Sequence, residues 1–187
     1  MRAFHTTPKR ILELEAAGTL VREVGRHLVA AGYRIDDRER RSWRNSLPEL
    51  ARRLCALGFG DLSVLTEYRL PRSDRRVDAI VAGTHPNGRD VYLVVELKQW
   101  SEATWLDREE DLVSVPWTKE AQLHPGAQVE AYCAYLEDMV RVLLERPDAV
   151  HGLVYMHNAT APGICRRWPR PRPRWVTYVP GVGDSNG

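Results

Sequence analysis

A chain of 187 residues is long enough for one domain with a sizeable core and a small helical appendage. Apolar content of 43% and charged content of 28% fit a soluble globular protein, and no apolar run approaches the roughly 20 residues of a membrane helix. A net charge of +2 does not by itself argue for nucleic acid, although arginines cluster at 38–44, 69–76 and 166–174. Cys55, Cys133 and Cys165 are scattered and odd in number, so neither a zinc motif nor a disulfide framework is expected. Residues 1–10, MRAFHTTPKR, lead into no apolar h-region. The expected compartment is the cytoplasm, with no membrane partner.

In chain order, Pro8–Ala31 carries helical spacing at Ile11, Leu12, Leu20, Val21, Val24 and Leu28. Gly18-Thr19 divides it into two helices, with Thr19 as the expected N-cap, and Gly32 ends the second. Residues 34–44 read as a solvated charged link. Ser46-Leu-Pro-Glu49 has the capping-box pattern and predicts a helix through Leu50, Leu54 and Leu57 to Gly58. Strands are predicted at 62–70, 75–83 and 90–98, with Pro86-Asn87-Gly88 turning between the last two. Residues 99–122 form a long connection carrying Trp100, Trp105 and Trp117, with a short local element expected at 111–115. A helix follows from Pro125 to Arg146, and then a fourth strand at 149–157. A helix between two strands implies a crossover and a parallel pairing. The tail, with RRWPRPRPR at 166–174, reads as extended and basic. The expected fold is an α/β/α sandwich with a mixed four-stranded core sheet. Its divisions are an N-terminal helical segment (1–44), a core domain (45–160) and a basic Pro-rich tail (161–187).

Charges interrupt this sheet where burial would refuse them. Val91–Val95 is apolar on both faces, as in a strand covered on both sides, yet it runs into Glu96 and Lys98. Side chains alternate along a strand, so these two share a face, and their burial is costly unless they are paired, hydrated or metal-bound. Asp78 interrupts the preceding strand in the same way. Two carboxylates on neighbouring strands suit a hard divalent cation, with the Leu97 carbonyl as a further oxygen ligand. Such a cation acidifies bound water and neutralises phosphoryl charge, and Lys98 can hold the attacking water.

Asp78, Glu96 and Lys98 in this order resemble the D…(D/E)-x-K signature of the PD-(D/E)XK, or restriction-endonuclease-like, nuclease superfamily. Gln128-Val-Glu-Ala-Tyr132 on the following helix is similar to the Q-x-x-x-Y element of its RecB-like branch, and an i,i+4 pair lies on one helical face. Residues 43–46, 67–71, 95–101, 124–125 and 128 look closer still to the nuclease-like domain preceding Schlafen-type helicase domains in bacteria. The resemblance covers 43–158, and the superfamily's Pro is replaced by Val77. It implies a restriction-endonuclease-like fold and an Mg²⁺- or Mn²⁺-dependent nuclease in defence, repair or recombination. The implied metal ligands are Asp78, Glu96, Leu97 and, from the preceding helix, Glu49. The implied catalytic residues are Asp78, Glu96 and Lys98, with Gln128 and Tyr132 on the substrate. DNA is the expected substrate ahead of RNA. A helicase or ATPase partner and a homodimer are compatible with it. No P-loop follows, so the expectation is a stand-alone nuclease or an excised domain.

Simpler readings stand beside these. Asp78 could end a strand, Glu96 and Lys98 could be a structural ion pair, and the capping box alone explains Glu49. Glu67 could face the same cleft or pair with Arg69 or Arg75, and His124 reads as a cap or loop residue. The three tryptophans could pack the loop or stack on bases. The basic tail could bind phosphates or be solvated linker. A non-catalytic nucleic-acid-binding or assembly module with this fold is the alternative of a different class, and a ribonuclease is a further one.

Overall fold

A computed structural model describes residues 3–107, 110–159 and 176–180. Its chain resolves into two compact units, Met1–Tyr92 and Leu93–Gly187.

In the first unit the chain enters through a short strand, β1 (Phe4–Thr6), and two helices, α1 (Pro8–Ala16) and α2 (Leu20–Ala30). Thr7 caps α1 by accepting a hydrogen bond from Arg10 N at 3.2 Å, and Pro8 occupies the first turn, where its missing N–H costs nothing. The break falls at Gly18, whose φ of 67° suits a residue without a Cβ. Thr19 is the residue before α2, as expected, but its hydroxyl donates to Leu14 O rather than capping α2.

The expected charged link is instead the opening of a longer helix, α3 (Asp37–Ala56). Asp36 and Glu39 form the capping box, with Glu39 N donating to Asp36 Oδ1 at 2.8 Å and Asp36 N to Glu39 Oε2 at 2.9 Å. Ser46 and Pro48 therefore lie inside the helix, and the cap expected at Ser46–Glu49 is superseded by a like signature at Asp36–Glu39. Trp43, Leu47, Leu50, Ala51 and Leu54 line its buried side, and α1 and α2 pack against it.

The sheet of this unit runs β1-β2-β3 and on to the start of β4, with β2 at Ser63–Arg69, β3 at Arg76–Thr84 and β4 at Asp90–Lys98. β2 is antiparallel to both β1 (Phe4↔Thr66) and β3 (Val64↔Val81, Thr66↔Ala79, Arg69↔Arg76). Val64, Thr66, Ala79 and Val81 are all buried, so this register puts the apolar set inside.

In the second unit the order is β4-β8-β9, with β8 at Val150–Met156 parallel to β9 at Val176–Pro180. The whole is thus mixed α/β with a mixed sheet. The expected count of four strands is exceeded, because β1 and β9 extend the predicted set, and β9 lies within the segment read as tail. The Arg166–Arg174 stretch falls outside the described residues. The connection after β4 holds more than one element: β5 (Thr104–Asp107), β6 (Leu112–Ser114) and β7 (Gln122–Leu123) make a separate antiparallel sheet. The helix predicted to Arg146 is two, α4 (Pro125–Met139) and α5 (Arg141–Leu144), parted where Val140 is extended at φ −106° and ψ 104°. Val129, Cys133 and Leu136 of α4 are buried, and the helix packs on β8. Among the described residues no helix is long and apolar enough to cross a membrane.

Candidate active site

The alternation of β4 places Val94, Glu96 and Lys98 on one face. Val94 and Val95 are fully buried, and the Glu96 carboxylate beside them is only 2% exposed. Lys98 answers it: Nζ is 2.6 Å from Glu96 Oε1. The same ammonium donates to Gln128 Oε1 at 3.4 Å, and Gln128 Nε2 donates to the Tyr132 hydroxyl oxygen at 2.9 Å. Because Gln128 and Tyr132 are one helical turn apart on α4, a single face delivers both to the end of β4. An expected set of four residues, Glu96, Lys98, Gln128 and Tyr132, is thereby joined in one line. Lys98 fixes the amide orientation of Gln128, and Gln128 in turn holds the Tyr132 oxygen. Leu97 is buried on the opposite face, with its carbonyl between the two charged residues in sequence.

Aromatic side chains continue from the ammonium. Nζ of Lys98 stands 5.5 Å from the Trp100 ring centroid, and Trp100 meets Trp117 at 6.1 Å between centroids, tilted by 57°. Trp105 lies flat on His124, with centroids 4.5 Å apart and planes 4° from parallel. His124 is the N-cap of α4, accepting from Gly126 N on Nδ1 at 3.1 Å, so it anchors the helix that carries Gln128. Burial holds its imidazole down at about 4, so it is neutral at physiological pH and its Nδ1 can accept. Cys133, on the buried side of α4, is pushed up to about 12 by burial and by Glu137 and Glu130, which removes it as a nucleophile.

In the first unit, Asp78 lies on β3 and lines a cleft of about 460 Å³ together with Glu39, Trp43, Glu67, Asp74 and Arg76. The β2–β3 register runs from Ser63↔Ala82 to Arg69↔Arg76 and sets Glu67 across from Asp78, although that position itself is skipped in the ladder. Glu67 has a φ of 53°, a left-handed conformation that costs a non-glycine residue about 1 kcal/mol or more. Its carboxylate accepts from Trp43 Nε1 at 2.6 Å, and Arg76 Nη1 stands 3.2 Å away. The other arm of Arg76 pairs with Glu39, and its guanidinium lies over the Tyr33 ring at 5.3 Å. Burial first, and Asp78 second, push Glu67 up to about 7, against the opposing pull of Arg76 and Trp43.

Glu49 is 39% exposed on α3, 3.5 Å from Arg52, which also reaches Glu15 at 2.5 Å. From the first turn of α3, Glu39 lines the Asp78 cleft. Glu67 is a candidate for this cleft from the sequence, whereas Glu39, Arg76 and the role of Trp43 emerge only from the fold. The missed signal was Asp36-x-x-Glu39, which starts the helix early and puts Glu39 and Trp43 on one face.

Among the described residues no three His, Cys, Asp or Glu side chains gather into a group that could hold a metal ion. Magnesium needs less than that, since it keeps several waters and takes one or two carboxylates. The donor chemistry of Glu96 and of the Leu97 carbonyl is hard oxygen and fits such an ion. Comparison of the chain with protein-family models, curated proteins and solved structures gives no match.

Proposed function

We propose that this protein is a divalent-metal-dependent nuclease of restriction-endonuclease-like α/β/α fold, of the RecB-like branch, hydrolysing phosphodiester bonds of DNA in the cytoplasm. The observation that carries the reading is the Glu96–Lys98–Gln128–Tyr132 line: a buried carboxylate and a half-buried ammonium 2.6 Å apart, extended by an amide and a phenol from one helix. A purely structural ion pair has no need of the two helix residues, whereas a phosphodiester needs a cation, hydrogen-bond donors and a site for water.

In this reading Glu96 and the Leu97 carbonyl would hold Mg²⁺ or Mn²⁺, with Asp78 and Glu49 assigned as further ligands by their place in the motif alone. When bound, the ion offsets phosphoryl charge and makes its water more acidic. Lys98 donates to the attacking water and to the phosphoryl oxygen on which charge builds. Gln128 and Tyr132 orient the strand. Water oxygen bonds to phosphorus, the P–O bond to the leaving sugar oxygen breaks, the proton lost by water passes to solvent, and the leaving oxygen takes up a proton from solvent. Defence, repair or recombination would employ such an activity, alone or beside a helicase.

The test is incubation of purified protein with labelled DNA and RNA in Mg²⁺, Mn²⁺ or EDTA. Cleavage of DNA that EDTA stops, and that Glu96→Gln and Lys98→Ala each reduce at least about a hundredfold, is expected. Full activity in either variant sinks the assignment. Salt-sensitive binding without cleavage in any metal would favour the non-catalytic module instead, and cleavage of RNA alone the ribonuclease.

A further inference from the structure

The Trp100–Trp117 pair is unused by the chemistry above. Trp117 is 53% exposed, an expensive place for an indole, and it leads out of β6 in a turn closed by Thr118 N to Val115 O at 3.4 Å. It is not isolated, since its ring meets that of half-buried Trp100, over which the Lys98 ammonium sits. Cation, anchored indole and exposed indole therefore form a series within one unit. We infer that Trp100 and Trp117 form a stacking subsite for an unpaired nucleobase beside the phosphate held at Lys98, so that the protein takes single-stranded nucleic acid in preference to duplex.

The chemistry of the series selects the occupant. A polynucleotide presents an anion and a flat π surface in every repeat, and Nζ lies 5.5 Å from the Trp100 centroid. The same spacing brings a base of the held strand within reach of the indole pair. Every base has a π face, so stacking here is tolerant of sequence. In duplex DNA the faces are already stacked on neighbours and the Watson–Crick edges paired, so this subsite discriminates against duplex. The inference rests on the nuclease reading only for the phosphate at Lys98, and stacking is measurable without cleavage.

The experiment uses the full chain in EDTA, with fluorescent oligothymidylate of about 12 nucleotides, within the site sizes of single-strand grooves. The same strand with abasic sites and the blunt duplex are run in parallel. Expected are quenching of tryptophan emission on binding and about tenfold weaker binding for Trp117→Ala. The abasic strand is expected to lose a similar factor, and little further in that variant. Trp117→Phe should retain most of the affinity, and Trp117→Leu, which keeps apolar area without a π face, should not. Circular dichroism confirms that each variant is folded. Equal binding of the abasic strand, unchanged affinity in Trp117→Ala, rescue by leucine, or no binding of any strand overturns the inference. Base-dependent binding with no cleavage in any metal would remove the nuclease reading and leave the subsite. Cleavage with base-independent binding would do the reverse.

Discussion

In the second unit a buried carboxylate meets its counter-charge on the same strand, since Lys98 reaches Glu96 at 2.6 Å and β4 stays regular throughout. In the first unit Glu67 meets Arg76 at 3.2 Å, but it also faces Asp78, shares its arginine with Glu39, and sits at a φ of 53°. One region neutralises charge pair by pair. The other sets two carboxylates on one guanidinium with a third, Asp78, facing Glu67, and is left with an acid held up to about 7. Satisfied pairs need no strain to persist, whereas an over-acidic cleft needs its surroundings to hold it together. Strained, charge-frustrated positions of that kind are more often kept for binding or chemistry than for stability.

The comparison breaks most sharply at Lys98. Lys98→Met leaves the Glu96 carboxylate buried without its ammonium, which is expected to cost about 3–5 kcal/mol in urea unfolding. The double variant Glu96→Gln/Lys98→Met should cost less than the single one, because the stranded charge is gone. If the single and double variants are equally stable, the pair is not the counterweight it is taken to be.

Next in size is His124. Its neutral form is favoured in the fold, at about 4 against an ordinary 6.5, so the unfolded chain binds the extra proton between those values. Its contribution is complete above pH 6.5 and is lost as pH falls through 4. At about 1.4 kcal/mol per pH unit the gap is worth about 3 kcal/mol. His124→Asn keeps a capping oxygen for Gly126 but cannot titrate, so that part of the acid slope should vanish from stability measured between pH 4 and pH 6.5. A slope unchanged in the variant would assign the acid loss elsewhere.

Glu67 has the opposite sign. Its folded-state value is raised, from 4.5 to about 7, so its favourable contribution is complete below pH 4.5 and is lost as pH rises through 7. Glu67→Gln keeps an oxygen for Trp43 and removes the charge facing Asp78. It should stabilise the protein at pH 8 by up to about 3 kcal/mol, since the shift to about 7 already includes the opposing pull of Arg76, and it should do little at pH 5. A variant less stable than the parent at pH 8 would mean that Arg76, not Asp78, dominates this carboxylate.

How far the sequence foretold these regions depends on the range of the forces at work. β4 came out at its observed bounds, Asp90–Lys98, because alternation, a doubly apolar run and the Pro86-Asn87-Gly88 turn are local. Gln128 and Tyr132 were legible as an i,i+4 pair, and the structure joins them to Lys98. β1 was not legible, being a three-residue segment whose strand character comes from β2 alongside it. β9 is equally dependent on β8, and it hid behind a Pro- and Arg-rich stretch. Glu67 opposite Asp78 needed the strand register, which no local pattern reveals. At Val140 the apolar run Val140, Val142, Leu143, Leu144 continued the helical pattern across an extended residue.

The start of α3 was misplaced for a different reason, since two capping-box signatures compete and Pro48 favoured the wrong one. Proline is tolerated in a first turn, so Ser46–Glu49 looked like a start, whereas in the fold Pro48 sits mid-helix and Asp36–Glu39 caps. Asp36→Ala removes the acceptor for Glu39 N and leaves only the other half of the box, the bond from the backbone N–H of residue 36 to the Glu39 carboxylate. The cost should be about 1 kcal/mol, the smallest of the four effects. Glu39 also pairs with Arg76, so fraying of this first turn should loosen the guanidinium that restrains Glu67 and raise amide exchange across 37–40 as well as lower the melting temperature. A melting temperature that falls with no gain in exchange over that turn would mean that the Arg76 pairing alone keeps the helix start in place.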